Sequence, residues 1–185
     1  MPDINETVVR HFFELNGFLV RTNVKYWVRG ERGGGESDID LVILNLNPDK
    51  RNPPQSFVLT LDEMPGIRKA IVETKGWHTL TFSESLISRK PRILNFVRPE
   101  AIEAARDKVF LDANFLRILV VSTLPQTGET RQAAVQLLKA GGIDHVIEFE
   151  TIVRFIVDQV KANKNYPDSE ILQTIRLLKV YGVVT

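Results

Sequence analysis

Four short apolar runs constrain this chain more than anything else in it: "DIDLVILNL" (38–46), "IRKAIVETKGW" (67–77), "FLRILVVST" (115–123) and "HVIEF" (145–149). Each is too short for a core helix and rich in β-branched residues, so each reads as a strand of a covered sheet. A fifth stretch, "FLVRTNVKYWV" (18–28), partly alternates and joins them. Helical patterns lie around these strands. "NETVVRHFFELN" (5–16) puts Val8, Val9, Phe12, Phe13 and Leu15 near one stripe, with Asn5 or Asp3 as cap and Gly17 as stop. "RPEAIEAARDKVF" (98–110) carries Pro99 near its first turn, "ETRQAAVQLLKAGG" (129–142) ends on two glycines, and "ETIVRFIVDQVKANKN" (150–165) follows the last strand. "PDSEILQTIRLLKVYG" (167–182) closes the chain as an amphipathic helix capped by Asp168 or Ser169. The order αβββαβ, then αβαα, predicts an α/β fold: a mixed sheet flanked by helices with a C-terminal helical elaboration.

With 185 residues, 43% of them hydrophobic, the chain can build one generous core, so a single domain over 1–185 is expected. Twenty-four basic residues against 23 acidic ones leave a net charge of +1, too little for a global field that would hold a polyanion. Any nucleic-acid site must therefore come from local clustering. The lack of cysteine excludes disulfides and thiolate metal sites, and three scattered histidines argue against a histidine zinc site. No apolar stretch is long enough to span a membrane, and "MPDINETVV" lacks the features of a signal peptide, so a soluble cytoplasmic protein is expected.

Two strands carry charge where plain apolar residues would do. Side chains alternate along a strand, so Glu73 and Lys75 share a face, as do Asp38 and Asp40. If the two strands are neighbours, Asp40 and Glu73 converge closely enough to share a hard divalent cation beside the Lys75 ammonium. That grouping suits phosphodiester hydrolysis, in which a cation polarises the phosphoryl oxygen and a lysine steadies developing charge or orients the water. The bland alternatives are a same-face ion pair for Glu73 and Lys75 and a strand-start role for the aspartates.

A helix bearing a glutamate, then an Asp followed by "LVIL", then the Glu-x-Lys of "IVETK" resembles the PD-(D/E)XK nuclease superfamily. This is the restriction-endonuclease-like fold with an αβββαβ core, shared by Holliday-junction resolvases and Mrr-type restriction enzymes. The resemblance covers roughly 5–157, leaving 158–185 as the helical extension. It implies a metal-dependent endonuclease acting on nucleic acid, in the first instance DNA, with Mg²⁺ or Mn²⁺ as cofactor. Asp40 and Glu73 would be the metal ligands, Lys75 the catalytic lysine that assists the attacking water, and Glu6 a further ligand from the first helix. Asp38 competes with Asp40, and the apolar run directly after Asp40 selects the latter. The chain departs from the family pattern in a longer connection between the two acids, so 47–66 is an insertion.

Basic residues cluster twice: Arg21, Lys25, Arg29 and Arg32 along the first strand and its loop, and Arg89, Lys90, Arg92 and Arg98 after the Glu-x-Lys strand. On a nuclease these would contact phosphates; otherwise they are a solvated rim. Trp77 and His78 would either pack at the strand end or meet nucleic acid, and His11 and His145 read as surface or capping residues. "RGGGES" lacks the Gly-Lys-Ser/Thr ending of a phosphate-binding loop and precedes a strand, which argues against nucleotide binding there. The apolar face of the last helix, with Ile171, Leu172, Ile175, Leu178 and Tyr181, either completes the core or builds a homodimer. The rival functional reading is a catalytically weak or inactive nucleic-acid-binding or assembly module of the same fold.

Overall fold

The computed structural model describes residues 3–28 and 34–184, so Arg29 and Arg32 of the first basic cluster lie outside the described residues. Helix α1 (Ile4–Leu15) starts at Asp3, whose carboxylate accepts the Asn5 N–H at 3.2 Å, and gives way to Gly17 at φ +83°. Five strands follow in sequence order: β1 (Leu19–Val28), β2 (Gly35–Leu44), β3 (Lys69–Lys75), β4 (Leu116–Val121) and β5 (His145–Glu148). They form one sheet in the order β1-β2-β3-β4-β5, with the first two pairings antiparallel and the last two parallel. Parallel neighbours need a crossover, supplied between β3 and β4 by α2 (Glu84–Arg89) and α3 (Pro99–Ala105), and between β4 and β5 by α4 (Gly128–Ala140).

Alternation along the strands divides the core in two. Leu41, Ile43, Ala70, Val72, Ile118 and Val120 face α1 together with α5 (Phe149–Gln159) and the first half of α6 (Glu170–Val180). Val42, Ile71, Leu119 and Val121 face α2, α3 and α4 on the other side. Strand β3, covered on both faces, is buried through its first six residues, which explains its nearly continuous apolar run. In α6, Leu172 is buried and Ile175 packs against the core, whereas Leu178 and Tyr181 are exposed. No helix among the described residues is long and apolar enough to cross a membrane.

Three features differ from the sequence expectation. The polar-looking stretch before α3 holds α2 and a 3-10 segment, Pro91–Val97, that bury Leu86, Ile87, Ile93 and Phe96. Short and partly 3-10, these turns leave no sustained 3.6-residue period. Helix α5 stops at Gln159 instead of continuing to 165; Val160 is extended, and the Tyr166 hydroxyl accepts the Lys161 N–H at 3.0 Å. His11 and His145 are buried, not surface, residues. His11 joins α1 to α6 through Ser169 at 2.7 Å, and His145 Nδ1 meets the Ser56 carbonyl at 2.8 Å.

The insertion at 47–66 covers the outer edge of β5. Val58 pairs in parallel with Val146, the Val146 N–H donates to the Phe57 carbonyl at 2.7 Å, and the Leu59 N–H donates to the Val146 carbonyl at 2.8 Å. An edge strand needs such cover to avoid pairing with another chain. The other edge, β1, is held by the π turn Arg106–Phe110: Lys108 donates to the Lys25 carbonyl, and Arg21 donates back to the Lys108 carbonyl at 3.1 Å.

Candidate active site

The ladder between β2 and β3 runs from Leu44↔Lys69 to Leu41↔Val72 and stops there. One step further in the same register, Asp40 stands opposite Glu73. Two facing carboxylates make poor cross-strand neighbours, and like charges directly opposite destabilise a ladder. Asp40 instead turns Oδ2 to the Thr74 N–H at 2.6 Å, a side-chain bond that replaces a strand-to-strand one. The strands therefore part where the acids are.

Asp38, Asp40, Glu73 and Lys75 all line one cavity of about 520 Å³ on the α2 and α3 side of the sheet. The expected sharing of faces is what the strands display. Across from them lie Arg89, Lys90, Pro91, Arg92, Ile93 and Asn95, from the end of α2 and the 3-10 segment. Burial is deep at the acid end: Asp40 is 8% exposed and Glu73 is 6% exposed. Lys75 forms an ion pair with Glu73 Oε1, while Glu73 Oε2 is buried and has no hydrogen-bond partner.

The electrostatics follow from that geometry. Burial is the main reason the Glu73 carboxyl is pushed up to about 8, reinforced by the Asp40 charge and opposed by Lys75. Asp40 is raised by its own burial despite the help of Lys75 and the Thr74 N–H. Burial works against the Lys75 ammonium, yet Glu73 and Asp40 outweigh it and hold the lysine charged. With both acids ionised, two carboxylates would face one ammonium in a low-dielectric pocket, which is why the metal-free site favours keeping the proton on Glu73. A divalent cation could take the place of that proton between the two carboxylates.

Glu6 comes close to this group without lining the cavity. Gly76 lets it approach: a Cβ there would lie 2.4 Å from Asn5 Cγ, so the start of α1 rests directly on the end of β3. His78 adds a 2.8 Å contact to Asn5 Oδ1. Partial burial and the charges of Asp40, Asp3 and Asp38 raise the Glu6 carboxyl to about 7. Among the described residues, no three His, Cys, Asp or Glu side chains form a ready-made metal cage. The site offers Asp40 and Glu73, with Glu6 and Asp38 nearby.

The two basic clusters part company. Arg21 is tied to a carbonyl of the π turn, and Lys25 pairs with Glu36 and Asp38 at 3.4 Å each, so neither lines the cavity. Arg89, Lys90 and Arg92 stand exposed on its rim. Arg98 precedes α3 and is not part of the lining. Trp77 both packs and lines: its indole stacks on buried Phe82 with centroids 5.6 Å apart, and Lys90 Nζ lies 4.4 Å from its ring centroid. Sequence reasoning missed the Thr74 N–H and the wall of Pro91, Ile93 and Asn95. Its one signal was "RKPR", a proline amid basic residues two elements after the acids. No family model, curated protein or solved structure matches this chain.

Proposed function

We propose that this protein is a metal-dependent phosphodiester hydrolase acting on nucleic acid, in the first instance DNA, with the restriction-endonuclease-like arrangement of an αβββαβ core. One observation carries the reading: Asp40, Glu73 and Lys75 meet in a cavity at the point where β2 and β3 separate, and the buried Glu73 Oε2 has no partner. A buried carboxylate oxygen without a donor costs free energy unless something binds it. The sheet order, with a three-strand antiparallel meander followed by parallel strands, supports the fold assignment.

The residues present fit Mg²⁺ or Mn²⁺, because hard cations take carboxylate oxygens and Asp40 and the unpartnered Glu73 Oε2 are buried at the same end of the cavity. When bound, such a cation supplies Lewis acidity toward the phosphodiester. The chain's own residues do the rest. The Thr74 N–H fixes the Asp40 carboxylate in direction. Lys75, held as an ammonium by Glu73 and Asp40, offers N–H donors to negative charge developing on the phosphoryl oxygens and orients the water. Arg89, Lys90 and Arg92 draw the backbone into the cavity and position its phosphates. Hydrolysis forms one P–O bond from water and breaks the ester P–O bond, leaving a phosphomonoester and a hydroxyl.

A second reading has its own support. Glu73 and Lys75 pair with each other directly, as expected of a nucleic-acid-binding or assembly module that does not cut. Cleavage of plasmid, linear duplex, single-stranded and branched DNA and of RNA with Mg²⁺ or Mn²⁺ separates the two. Cutting that Lys75→Ala and Asp40→Asn each reduce by about 10²-fold or more supports the hydrolase. Salt-sensitive binding by all three proteins without cutting supports the module.

A further inference from the structure

Asp40 and Glu73 lie at the buried end of a half-open cavity whose far side is formed by the end of α2 and the 3-10 segment. Its volume, about 520 Å³, falls in the range of roughly 300–1,000 Å³ typical of pockets that enclose a small ligand. A duplex presents a rigid surface with a major groove about 12 Å wide, so bringing its phosphates down to side chains as buried as Asp40 and Glu73 requires the duplex to deform. The 3-10 segment Pro91–Val97 borders the approach, with Pro91, Ile93 and Asn95 as part of the wall. A single strand needs no such deformation. It can turn one nucleotide into the cavity while its neighbours remain outside.

The cavity is also furnished for a base. Trp77 lies two residues beyond Lys75, on the same wall as the acids, and its plane is set by stacking on Phe82, which is fully buried. Lys90 now lies over the indole, although Lys90 is exposed and belongs to the basic rim. A cation–π contact at such a site is worth only about 0.5–1 kcal/mol, so a phosphate can draw Lys90 away at little cost. An aromatic plane beside a row of cations is the arrangement by which proteins hold unpaired bases.

We infer that the cavity takes an unpaired nucleotide of a single strand, its base stacked on Trp77 and its flanking phosphates held by Arg89, Lys90 and Arg92. The inference rests on the hydrolase reading for its chemistry and adds the shape of the substrate. Lys90 then has two partners in turn, the indole in the free protein and a phosphate in the complex. DNA and RNA strands share the base and the phosphodiester, so both count as the predicted ligand.

Binding in EDTA separates this inference from turnover. In a Trp27→Phe background, Trp77 is the sole tryptophan, and titration with oligonucleotides of about 15 residues reads its fluorescence directly. Single-stranded DNA or RNA is expected to quench Trp77 and to bind about tenfold or more tightly than the duplex of the same sequence. Trp77→Leu weakens single-strand binding about 5- to 100-fold, the worth of one stacked base, and leaves duplex binding unchanged. Trp77→Phe, which keeps a ring against Phe82, retains most of the affinity. Lys90→Gln lowers the slope of log affinity against log salt by about one. Equal affinity for duplex, absence of quenching, or a Trp77→Leu protein that binds single strands like the wild type overturns the inference. Failure of the hydrolase reading looks different: single strands stack on Trp77, yet neither Mg²⁺ nor Mn²⁺ brings about cutting.

Discussion

Carboxylates sit at the ends of strands on both halves of this sheet, and the two halves treat them oppositely. On the parallel side, Asp144 accepts three bonds from Arg117, its backbone N–H at 2.8 Å, Nε at 2.8 Å and Nη2 at 2.7 Å. Glu148, at the other end of β5, accepts the Leu124 N–H at 2.9 Å, the Thr123 hydroxyl at 3.2 Å and Arg131 at 3.0 Å. Burial alone would raise both, but these donors outweigh it and hold both below the ordinary carboxylate range. On the antiparallel side, Asp40 has one backbone donor and Glu73 one lysine, and burial prevails. A carboxylate that serves the fold is surrounded by donors. One left short of them while buried is the kind of group the proposed function would use to hold a cation.

Isosteric substitutions test this contrast most directly because their signs should differ. Glu73→Gln removes a charge that the fold holds at a cost, so the protein in EDTA at pH 8 gains about 1–3 kcal/mol, read as a higher urea midpoint. Cutting in Mg²⁺ or Mn²⁺ falls by about 10³-fold in the same variant. Asp144→Asn sets an amide N–H₂ against the Arg117 donors and loses about 2 kcal/mol, already discounted for the partly exposed setting of the pair, with cutting unchanged. A loss of stability in Glu73→Gln as large as in Asp144→Asn would mean that the acid end of β3 is built for the fold.

The same contrast predicts the shape of the pH profile. Glu73 has a folded value of about 8 against an ordinary 4.5, so the folded state binds the proton more tightly than the unfolded chain does. Its penalty is absent below about pH 4.5 and grows as pH rises through about 8, and the metal-free protein should lose stability over that window. Asp144 and Glu148 run the other way. Their folded values lie below the unfolded ones, so their contribution is present above about pH 4.5 and fades in more acidic solution. Thermal midpoints in EDTA should therefore peak in mildly acidic buffer. Added Mg²⁺ or Mn²⁺ should raise the midpoint more at pH 8 than at pH 5, because the cation competes with protons for the same carboxylates. A flat alkaline limb, or a metal shift independent of pH, breaks the contrast.

What the sequence made legible follows the same division. All five strands could be read because β-branched runs bounded by turn residues leave few alternatives, and the period of two places Asp40, Glu73 and Lys75 on a common face. The far wall of the cavity could not be read. The apolar residues that anchor it, Phe82 just ahead of α2, Leu86 and Ile87 on that short helix, and Ile93 and Phe96 on the 3-10 segment, share no period, so they look like scattered apolar residues in a polar stretch. The basic residues of that stretch were visible, yet whether they faced the acids depended on a crossover between parallel strands that sequence periodicity does not describe. The depth of Asp40 and the parting of β2 from β3 are tertiary facts of the same kind. The insertion was visible as an insertion, while its pairing with β5 rests on a single bridge at Val58.

That insertion supplies a fifth carboxylate and the smallest of the expected effects. Glu63 lies on the 3-10 turn Leu61–Gly66 and accepts the N–H groups of Gln55 at 2.9 Å, Ser56 at 2.8 Å and Thr60 at 3.0 Å. Slight burial opposes the charge, but the three backbone donors outweigh it and hold the carboxyl at about 2. Glu63 therefore resembles Asp144 in its donors and differs in lying near water, where each bond counts for less. Glu63→Gln keeps one acceptor oxygen and turns an amide N–H₂ toward at least one of the donors, so it should cost about 1 kcal/mol. The loss should be local. Hydrogen exchange should quicken at Leu59 and at Val146, whose N–H groups bridge the insertion and β5, and stay unchanged in β2 and β3. Quickening that spread to β3 would mean that the edge cover at 57–59 also braces the acid end of the sheet, and the two halves would then have to be treated as one mechanical unit.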